Sequence, residues 1–476
     1  MEAGLQDRLH HTPSEAPAGI VHLGLGAFFR AHGAIYVSEA MAASGGDWGI
    51  IGVSLKSPGM RDKLRPQGWA YTAVELAPDG ERPQVVTVLR DVLVAPEDPQ
   101  AVLKAMCDPA IRIVSLTVTE KGYCHEPSTG RLNTDHPDIR QDLAGPLPCS
   151  APGFLVRALA LRRAAGIAPF TVLCCDNLPE NGRVLRGVVL ELARLIDPHL
   201  ADWIEAEGRF PSTMVDRIVS ATSPEDLDNV AHLTGLRDEA PVMHEPFRQW
   251  VVEDDFVGGD RPDLGAVGVQ LVADVTPFEH MKLRMLNGTH SSLAYLGYLA
   301  GHQTIAETVG DPVFSTFVRK LWRDEIIPAL TPPPGEDLAA YADALHDRYA
   351  NPAIRHRTWQ IAMDGSQKLP QRILGTIAEG RAAGRAVPGL TLAVAAWMRY
   401  VSGVDLAGKA IEVKDPMADR LAALWRDDPA ETVAGFLALE QVFPSVLRAD
   451  AGFARDLTAA LTALCDKGAA QAAADA

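Results

Sequence analysis

Short apolar runs alternate with longer amphipathic stretches along the first half of the chain. Five of these runs are rich in β-branched residues and have the length of buried strands. They read GIVHLGLG, WGIIGVSLK, QVVTVLRDVLV, IRIVSLTVT and PFTVLCCDN. Helix-length stretches separate several of them, including residues 153–165 and the stretch after Glu180. Strands that alternate with helices predict an α/β fold with a doubly wound parallel sheet.

The pattern changes near residue 277. Residues from about 210 to 277 are richer in strand and turn signals, whereas from Phe278 onward nearly every stretch has helical periodicity. We therefore predict an N-terminal α/β domain over residues 1–277 and a mostly α-helical C-terminal domain over residues 278–476. The first 17 residues are interpreted as a loose leader, and the Ala-rich end as a frayed tail.

Composition and charge restrict the partners. The chain has a net charge of −17 and no run of Lys and Arg, so we expect neither a nucleic acid nor an anionic membrane as partner. The six cysteines form no CxxC pair and are interpreted as small buried side chains in a reducing compartment. Without a signal peptide or a membrane-length apolar run, we expect a cytoplasmic protein. The C-terminal helices leave a monomer and a homodimer both open.

A glycine pair follows the first predicted strand. Gly24 and Gly26 stand between that strand and a helix, where backbone amides can hold a pyrophosphate. Ala27 and Phe28 continue the turn, and Arg30 offers a positive fork for phosphate. The third glycine of the usual fingerprint is missing, so a plain tight turn is the competing interpretation. We predict that the cofactor is contacted by five residues of this turn: Gly24, Gly26, Ala27, Phe28 and Arg30.

The second predicted strand lacks the usual acid that binds a ribose 2′-hydroxyl. Ser54, Lys56 and Ser57 follow it, and the next carboxylate is Asp62. NAD is the expected cofactor, and NADP is possible if Lys56 faces a 2′-phosphate. An exposed loop lysine explains Lys56 equally well.

Two later strand ends carry polar residues, at the edge where open α/β sheets bind their ligands. Thr119 and Glu120 follow one strand and are predicted to contact the cofactor. Asp176 and Asn177 follow the other. Asn177 is either an active-site residue or the cap of the next helix.

A stretch near the start of the second domain combines a lysine, an amide and an imidazole. At about 100° per residue, Glu279, Lys282, Leu286, Asn287 and His290 fall within an arc of about 140° on one helix. Buried polar groups need partners, so a substrate is the candidate partner. A solvated stripe on a surface helix is the alternative.

The spacing also bears on substrate shape. Along an unbroken α-helix, Lys282 and His290 are about 12 Å apart, which favours an extended substrate such as an open six-carbon chain. Gly288 could also let the helix bend.

Together these motifs resemble the polyol-specific long-chain dehydrogenases, the mannitol dehydrogenase family, and most of all its fructuronate reductase (D-mannonate oxidoreductase) branch. The resemblance runs from about residue 20 to residue 465. It rests on HLGLGAFFRAH, SLTVTEKGY, CDNLPENG, MVDRI, EPFRQWVVEDDF, KLRMLNGTH and HRTWQIAMDGSQKLPQR.

The resemblance implies a Rossmann-type N-terminal domain, a helical C-terminal domain, an active site in the cleft between them, and no metal. It implies that Lys282 is the general base and that Asn177 and Asn287 donate hydrogen bonds to the reacting oxygen. His290 would hold a substrate hydroxyl, and Glu279 would lie on the proton path to Lys282.

The implied chemistry suits these residue types. Fixed amide donors stabilise the negative charge that develops on the oxygen, by roughly 3–4 kcal/mol per donor. A lysine acts as a base only if its pKa falls from about 10.4 toward neutrality, and an apolar pocket has this effect.

The resemblance also implies substrate contacts at Asp216 and Lys368. Two positions depart from the family pattern. Phe29 replaces the histidine that commonly follows GAF, which affects a local contact. Gln360 stands where mannitol-specific members resemble one another in having an arginine, so it bears on substrate choice.

Basic residues are concentrated around Lys368 in an otherwise acidic chain. Arg355, Arg357, Lys368 and Arg372 lie close together in sequence, and Arg357 is predicted to contact substrate. Such a group suits a substrate carboxylate, although salt bridges to nearby acids remain the alternative. Fructuronate and mannonate are therefore the leading substrate pair, with fructose and mannitol as the alternative.

Two other classes of protein are alternatives to this interpretation. A zinc polyol dehydrogenase needs three metal-directed side chains at sensible spacing, and the adjacent His244 and Glu245 do not supply them. A nucleotide sensor that has lost its chemistry is disfavoured by the intact lysine, amide and histidine set.

Overall fold

The first unit of the chain, Met1–Thr276, is built on a parallel sheet. The computed structural model describes residues 7–126 and 129–476, except for the side chain of Glu120. The strands are β1 (Ala18–Leu23), β2 (Gly49–Ser54), β3 (Tyr71–Ala77), β4 (Gly80–Val86), β5 (Leu89–Val94), β6 (Ile113–Leu116), β7 (Thr171–Cys174), β8 (Thr213–Asp216), β9 (Val219–Ser220), β10 (Val242–His244), β11 (Gln249–Glu253) and β12 (Gln270–Val272).

Five strands form the main sheet in the order β5-β2-β1-β6-β7, and every neighbouring pair is parallel. From β1, the chain builds the sheet first in one direction, through β2 and β5, and then in the other, through β6 and β7. Ligands of such sheets bind beyond the carboxyl ends of the strands at this switch point, so the turns after β1, β6 and β7 are the expected binding edge. The predicted Rossmann-type sheet is confirmed.

The first unit also contains nine α-helices within its described residues. They are α1 (Ala27–Ala31), α2 (Gly33–Ser44), α3 (Gly59–Leu64), α4 (Pro99–Met106), α5 (Pro137–Ala144), α6 (Ala151–Ala164), α7 (Asn181–Ile196), α8 (Pro198–Glu207) and α9 (Pro224–Thr234).

Both faces of the main sheet are buried. Val21 and Leu23 point into one apolar core, whereas Ile20 points into a second. Val114 and Ile113 divide in the same way. Alternate residues of a strand face opposite sides, so a parallel sheet that is covered on both faces needs continuous apolar strands. This explains why the sequence shows unbroken apolar runs.

The run QVVTVLRDVLV forms two strands instead of the one that was predicted. It is split between β4, which pairs antiparallel with β3, and β5, which joins the main sheet. The apolar pattern continues across the break, since Val86, Val88 and Leu89 are all buried. Burial alone therefore cannot mark the point at which the chain changes sheets. The remaining strands complete two small sheets, β4-β3-β10-β9 and β12-β11-β8.

The Ala-rich C-terminal end is packed, which corrects its interpretation as a frayed tail, whereas most of residues 7–17 are exposed and the segment is held at Leu9. Leu9 is buried, and its amide donates to the carbonyl of Arg237 over 2.9 Å. The Ala-rich end is helical, and Ala469, Ala472 and Ala473 are buried. Small side chains let a helix pack closely, and a composition-based argument for fraying misses this.

The second unit, Pro277–Ala476, is helical, as predicted. Its α-helices are α10 (Thr276–Met281), α11 (Thr289–Ala300), α12 (Ile305–Gly310), α13 (Pro312–Lys320), α14 (Leu338–Ala350), α15 (Thr358–Ile361), α16 (Gly365–Leu369), α17 (Gly375–Ala382), α18 (Pro388–Val401), α19 (Ala418–Ala422), α20 (Pro429–Leu437), α21 (Ser445–Arg448), α22 (Ala451–Lys467) and α23 (Ala469–Asp475). Thr304, Asp311, Asp337, Asp428 and Asp450 cap helix N-termini.

Three segments of this unit are π-helical: Lys282–Gly288, Leu321–Ile326 and Pro370–Leu374. None of the helices in the described part of the chain combines the length and the apolarity needed to cross a bilayer.

Candidate active site

The turn after β1 is closed against the end of β6. Gly24 has a φ of +90°, and a Cβ atom there would lie 2.2 Å from the carbonyl oxygen of Thr117. Only glycine suits this position. The exposed Gly26 is the N-cap of α1, and Ala27 and Phe28 begin that helix with half-buried side chains. The backbone of this turn is therefore open to a phosphate-bearing ligand.

Arg30 does not fit the predicted phosphate contact. Its side chain is buried, Nη1 donates to the carbonyl of Ala240 over 2.5 Å, and the guanidinium lies 5.3 Å from the ring centre of Tyr71. Burial lowers its pKa from the usual value. The Arg30 guanidinium therefore stabilises the core of the first unit. Its partners Ala240 and Tyr71 are far from the turn in sequence, so the turn sequence alone does not reveal them.

Phe29, the first departure from the family pattern, is accommodated by packing. Its ring stacks on His22 with the ring centres 3.3 Å apart. A Cβ atom on Gly33 would lie 2.7 Å from the same ring. Burial lowers the pKa of His22 to about 3, so the stacked imidazole is neutral. The substitution changes a buried contact.

The loop after β2 remains compatible with both cofactors. Lys56 is exposed. Asp62, the next carboxylate, accepts a hydrogen bond from Arg61 Nε over 2.9 Å. Neither observation selects between a ribose hydroxyl and a 2′-phosphate.

Asp176 ties two strand ends together. Its Oδ2 accepts hydrogen bonds from the amides of Val118 and Thr119, over 2.7 and 3.1 Å, and from the hydroxyl of Tyr123 over 2.6 Å. Thr119 is exposed and has a φ of +65°, which this carboxylate helps to hold. The predicted contact at Glu120 concerns a side chain outside the described residues.

Asn177 is not a helix cap. Glu180 is the N-cap of α7, without a side-chain capping bond, and Asn177 is exposed. The buried Asn181 holds the strand ends instead, because its Nδ2 donates to the carbonyls of Asp176 and Thr213 over 3.0 and 2.9 Å. The capping alternative for Asn177 is wrong, and its active-site role stays a prediction.

Asp216 ends β8 as a buried carboxylate, paired in register with Gln249 of β11. The nearby His244 and Glu245 have structural contacts: His244 Nδ1 lies 2.9 Å from the carbonyl of Glu245, and Glu245 Oε1 accepts from the amide of Ile218 over 2.6 Å. These contacts match a packing role for the His–Glu pair.

The lysine, amide and imidazole lie on a helix whose geometry changes partway. Lys282–Gly288 is π-helical and leads directly into α11. In a π-helix the hydrogen bonds join residues five apart, so Lys282 and Asn287 lie above one another. Asn287 and His290 are then three residues apart, on one face of the junction with α11. The arc calculated for an unbroken α-helix is therefore wrong, and the true alignment is closer.

Lys282 is buried, with 7% of its surface exposed, beside the fully buried Met281 and Met285. The alternative of a solvated stripe is wrong for this residue. Glu279 lies three residues earlier in α10 and is half-buried, a spacing that puts it on the same side of the helix.

Side chains from two other elements hold the π-helical turn. Trp322 Nε1 donates to the carbonyl of Met285 over 2.8 Å, and the Tyr349 hydroxyl donates to that of Leu286 over 2.8 Å. The Thr289 hydroxyl donates to Met285 over 2.5 Å. Such donors satisfy carbonyls that a widened helix leaves without α-helical partners.

Gly288 does not bend the helix. Its dihedral angles are helical, with φ −64° and ψ −51°. A Cβ atom on Gly288 would instead lie 2.7 Å from the carbonyl oxygen of Arg372. Glycine is needed because a second π-helix, Pro370–Leu374, approaches the backbone closely.

His290 is buried and neutral. Its ring stacks on Tyr349 at 5.2 Å and meets His356 edge-on at 4.5 Å. Burial, and then the nearby His356, Arg372, Arg348 and Lys368, lower its pKa well below the usual value. Within the described residues, its Nε2 is buried and has no hydrogen-bond partner. The imidazole can therefore serve a polar ligand.

The cations around His290 come from three elements. Arg348 is buried in α14. Lys368 Nζ donates to the carbonyl of Met363 over 2.6 Å, and Arg372 Nη1 donates to the Ser291 hydroxyl over 3.2 Å. Arginine and lysine side chains of this kind are the residue types that bind anions.

Two of the predicted substrate contacts, Arg357 and Gln360, are exposed side chains. Arg357 precedes α15 and Gln360 lies within it. Their role in substrate choice stays a prediction.

Sequence reasoning missed Arg348 and Tyr349. Both lie in LHDRYA, where an aromatic after a basic residue carries no signal of its own. Only the packing of α14 against the π-helical turn identifies them.

The chain matches two family models: the mannitol dehydrogenase Rossmann domain over residues 18–265 and the mannitol dehydrogenase C-terminal domain over residues 274–465. It is 47% identical over 464 residues to the D-mannonate oxidoreductase of Escherichia coli, covering 96% of this chain and 95% of the relative.

Mannitol 2-dehydrogenases are also similar. One from Pyrenophora tritici-repentis is 42% identical over 95% of this chain and 80% of the relative. The structure of Pseudomonas fluorescens mannitol 2-dehydrogenase, a ternary complex with NAD and D-mannitol, superimposes with a TM-score of 0.87. That protein is 40% identical, and the match covers 98% of this chain and 96% of the other.

Proposed function

The chain belongs to the mannitol dehydrogenase family, and from this premise we propose that it is an NAD-dependent oxidoreductase that interconverts D-fructuronate and D-mannonate. The observation that carries the substrate choice is the positive surrounding of the neutral His290, supplied by Arg348, Lys368 and Arg372. A sugar acid brings the negative charge that this surrounding favours, and a polyol does not. The identity to the D-mannonate oxidoreductase supports the same choice.

Lys282 is the proposed general base. Its side chain is buried, and desolvation is the general means by which a lysine comes to present the uncharged amine that accepts a proton. In the oxidation direction, the Lys282 amine accepts the proton of the substrate hydroxyl while a hydride leaves the carbon that bears this hydroxyl. Glu279 would then pass the proton onward, because it lies one helical turn away.

Asn287 is the proposed donor to the reacting oxygen. It lies one π-helical turn from Lys282, so the base and the donor can meet the same oxygen. Asn177 is proposed as a second donor and Asp216 as a further substrate contact, both by family resemblance. His290 would bind a substrate hydroxyl through Nε2.

NAD is the proposed cofactor, since the Pseudomonas fluorescens relative binds it. The open backbone at Gly26, Ala27 and Phe28 fits its pyrophosphate. When bound, the nicotinamide accepts or donates the hydride. The exposed Lys56 leaves NADP as the competing cofactor.

A crossed steady-state assay tests this function. D-mannonate and D-mannitol are each oxidised with NAD and with NADP, and kcat/KM is compared. We expect the highest value for D-mannonate with NAD. A higher value for D-mannitol would support the second candidate function, mannitol 2-dehydrogenase, which the 42% identity to such an enzyme favours. Nucleotide binding without turnover on any substrate would indicate a sensor.

A further inference from the structure

Three side chains of metal-binding type meet in the segment that follows β6. The donor atoms of Cys124, His136 and Asp138 all lie within 4.8 Å of one another. Cys124 is buried, His136 is partly exposed and Asp138 is exposed. None of the three has a part in the oxidoreductase chemistry proposed above.

Backbone hydrogen bonds bring these residues together. His125 pairs with Leu132 across a short antiparallel bridge, and the amide of Asn133 donates to the carbonyl of Cys124 over 2.8 Å. The amide of His136 then donates to the carbonyl of Asn133 over 3.1 Å. The thiol therefore lies next to the start of α5.

A second thiol is folded onto the same helical turn. The buried Asp142 accepts from the amide of Cys149 over 2.7 Å. Cys149 Sγ lies 3.6 Å from the carbonyl oxygen of Asp138. Two thiols, an imidazole and a carboxylate thus surround the first turn of α5, although they come from three separate parts of the sequence.

We propose that Cys124, His136, Asp138 and Cys149 form a structural zinc site. In a tetrahedral site with Zn–S near 2.3 Å and Zn–N near 2.0 Å, sulfur and nitrogen ligands are about 3.6 Å apart. The donors of Cys124, His136 and Asp138 lie within 4.8 Å of one another, so they need to close by about 1.4 Å at most, which side-chain rotation supplies. Mixed sulfur, nitrogen and carboxylate donors select zinc over magnesium or calcium. Binding releases the thiol protons.

The site has a structural consequence for the strand ends. Tyr123 precedes Cys124, and its hydroxyl donates to the Asp176 carboxylate that holds the amides of Val118 and Thr119. A metal on Cys124 would fix this segment and, through Tyr123, the edge of the sheet. Four protein ligands leave no open position, so the ion takes no part in hydride transfer.

Cobalt substitution tests the site in the full-length chain. The protein is stripped with a chelator, and Co²⁺ is added while the thiolate-to-cobalt charge-transfer band is recorded. We expect about one Co²⁺ per chain, displaced by Zn²⁺. Cys124→Ser should weaken binding roughly tenfold or more, and Cys149→Ser should reduce the band by about half, since one of two thiolates is lost.

Cys465→Ser is the matched control, because Cys465 is exposed and lies in α22 of the second unit. This variant should keep the full band. Far-UV circular dichroism and NADH binding check that each variant is folded. The cobalt titration of the wild-type chain tests the site even if a variant does not fold. The proposal is overturned if the stripped wild-type chain gives no thiolate band, or if either serine variant in the first unit keeps it unchanged. A thiol titration that finds Cys124 and Cys149 oxidised to each other would also overturn it.

Discussion

Replacement of Gly288 by alanine tests how closely the π-helical segments Lys282–Gly288 and Pro370–Leu374 approach each other. The helical dihedrals at Gly288 suit alanine, so helix propensity alone would stabilise the chain by about 0.8–1.0 kcal/mol. The new Cβ atom, however, would lie 2.7 Å from the carbonyl oxygen of Arg372, and ordinary contacts begin at 3.4 Å. The Arg372 carbonyl must move by about 0.7 Å, the difference between these distances.

Overpacking of this kind costs typically about 1–3 kcal/mol. We therefore expect Gly288→Ala to lower the free energy of unfolding by up to about 2 kcal/mol, after the gain in propensity is subtracted. The shift also moves Asn287 and His290 relative to Arg372. A displacement of this size at a catalytic site can reduce kcat/KM about 10²-fold.

Gly375→Ala is the matched control in the same unit. Gly375 is also helical, and its nearest neighbour to a Cβ atom would be 3.8 Å away. This variant should gain up to about 1 kcal/mol and keep its activity. Denaturant unfolding and steady-state kinetics on D-mannonate measure both effects. The reasoning is refuted if Gly288→Ala is as stable and as active as Gly375→Ala.

Three further predictions concern single side chains. Lys282→Ala should lower kcat by roughly 10²–10⁴-fold while NADH binding survives; a variant that keeps a tenth of the wild-type rate rules out the base. Arg348→Met should raise KM for D-mannonate roughly 10- to 150-fold, and hardly change it for D-mannitol, because a charged contact contributes about 1.5–3 kcal/mol; equal changes would contradict a carboxylate site. Glu325 accepts hydrogen bonds from the amides of Gly389 and Leu390, yet burial raises its pKa from 4.5 to about 7. The folded chain therefore binds the proton of the Glu325 carboxyl more tightly than the unfolded chain does. The stabilisation from the protonated carboxyl is complete below pH 4.5 and is lost as the pH rises through 7. The loss in the free energy of unfolding is about 3 kcal/mol. Glu325→Gln should flatten the unfolding free energy over this interval, and an unchanged pH profile would refute the assignment.

The sequence predicted the glycine turn after the first strand, and the structure has that turn. Gly24 was identified from its place after an apolar run, and its positive φ and close contact with Thr117 explain why glycine is there. Arg30 shows the limit of such reasoning. Its position in the turn suggested phosphate, but its partner Ala240 lies 210 residues away in sequence. When a side chain can reach either a ligand or the core, tertiary packing determines which of the two it contacts.

The helix that carries Lys282 shows the same division. Sequence spacing identified Lys282, Asn287 and His290 as one set, because their residue types are costly to bury without partners. The α-helical arc assigned to them was wrong, since a π-helical turn depends on donors from Trp322 and Tyr349. No local pattern encodes those donors.

By itself, the order of apolar and polar residues determined the parallel sheet, the helical second half and the family, because strand and helix periodicities and short motifs are local properties of the chain. Tertiary structure alone decided which cations surround His290, which carbonyls hold the π-helical turn, and which thiols meet at α5. Those contacts join residues far apart in sequence, and their energies depend on burial and distance, which only the folded chain defines.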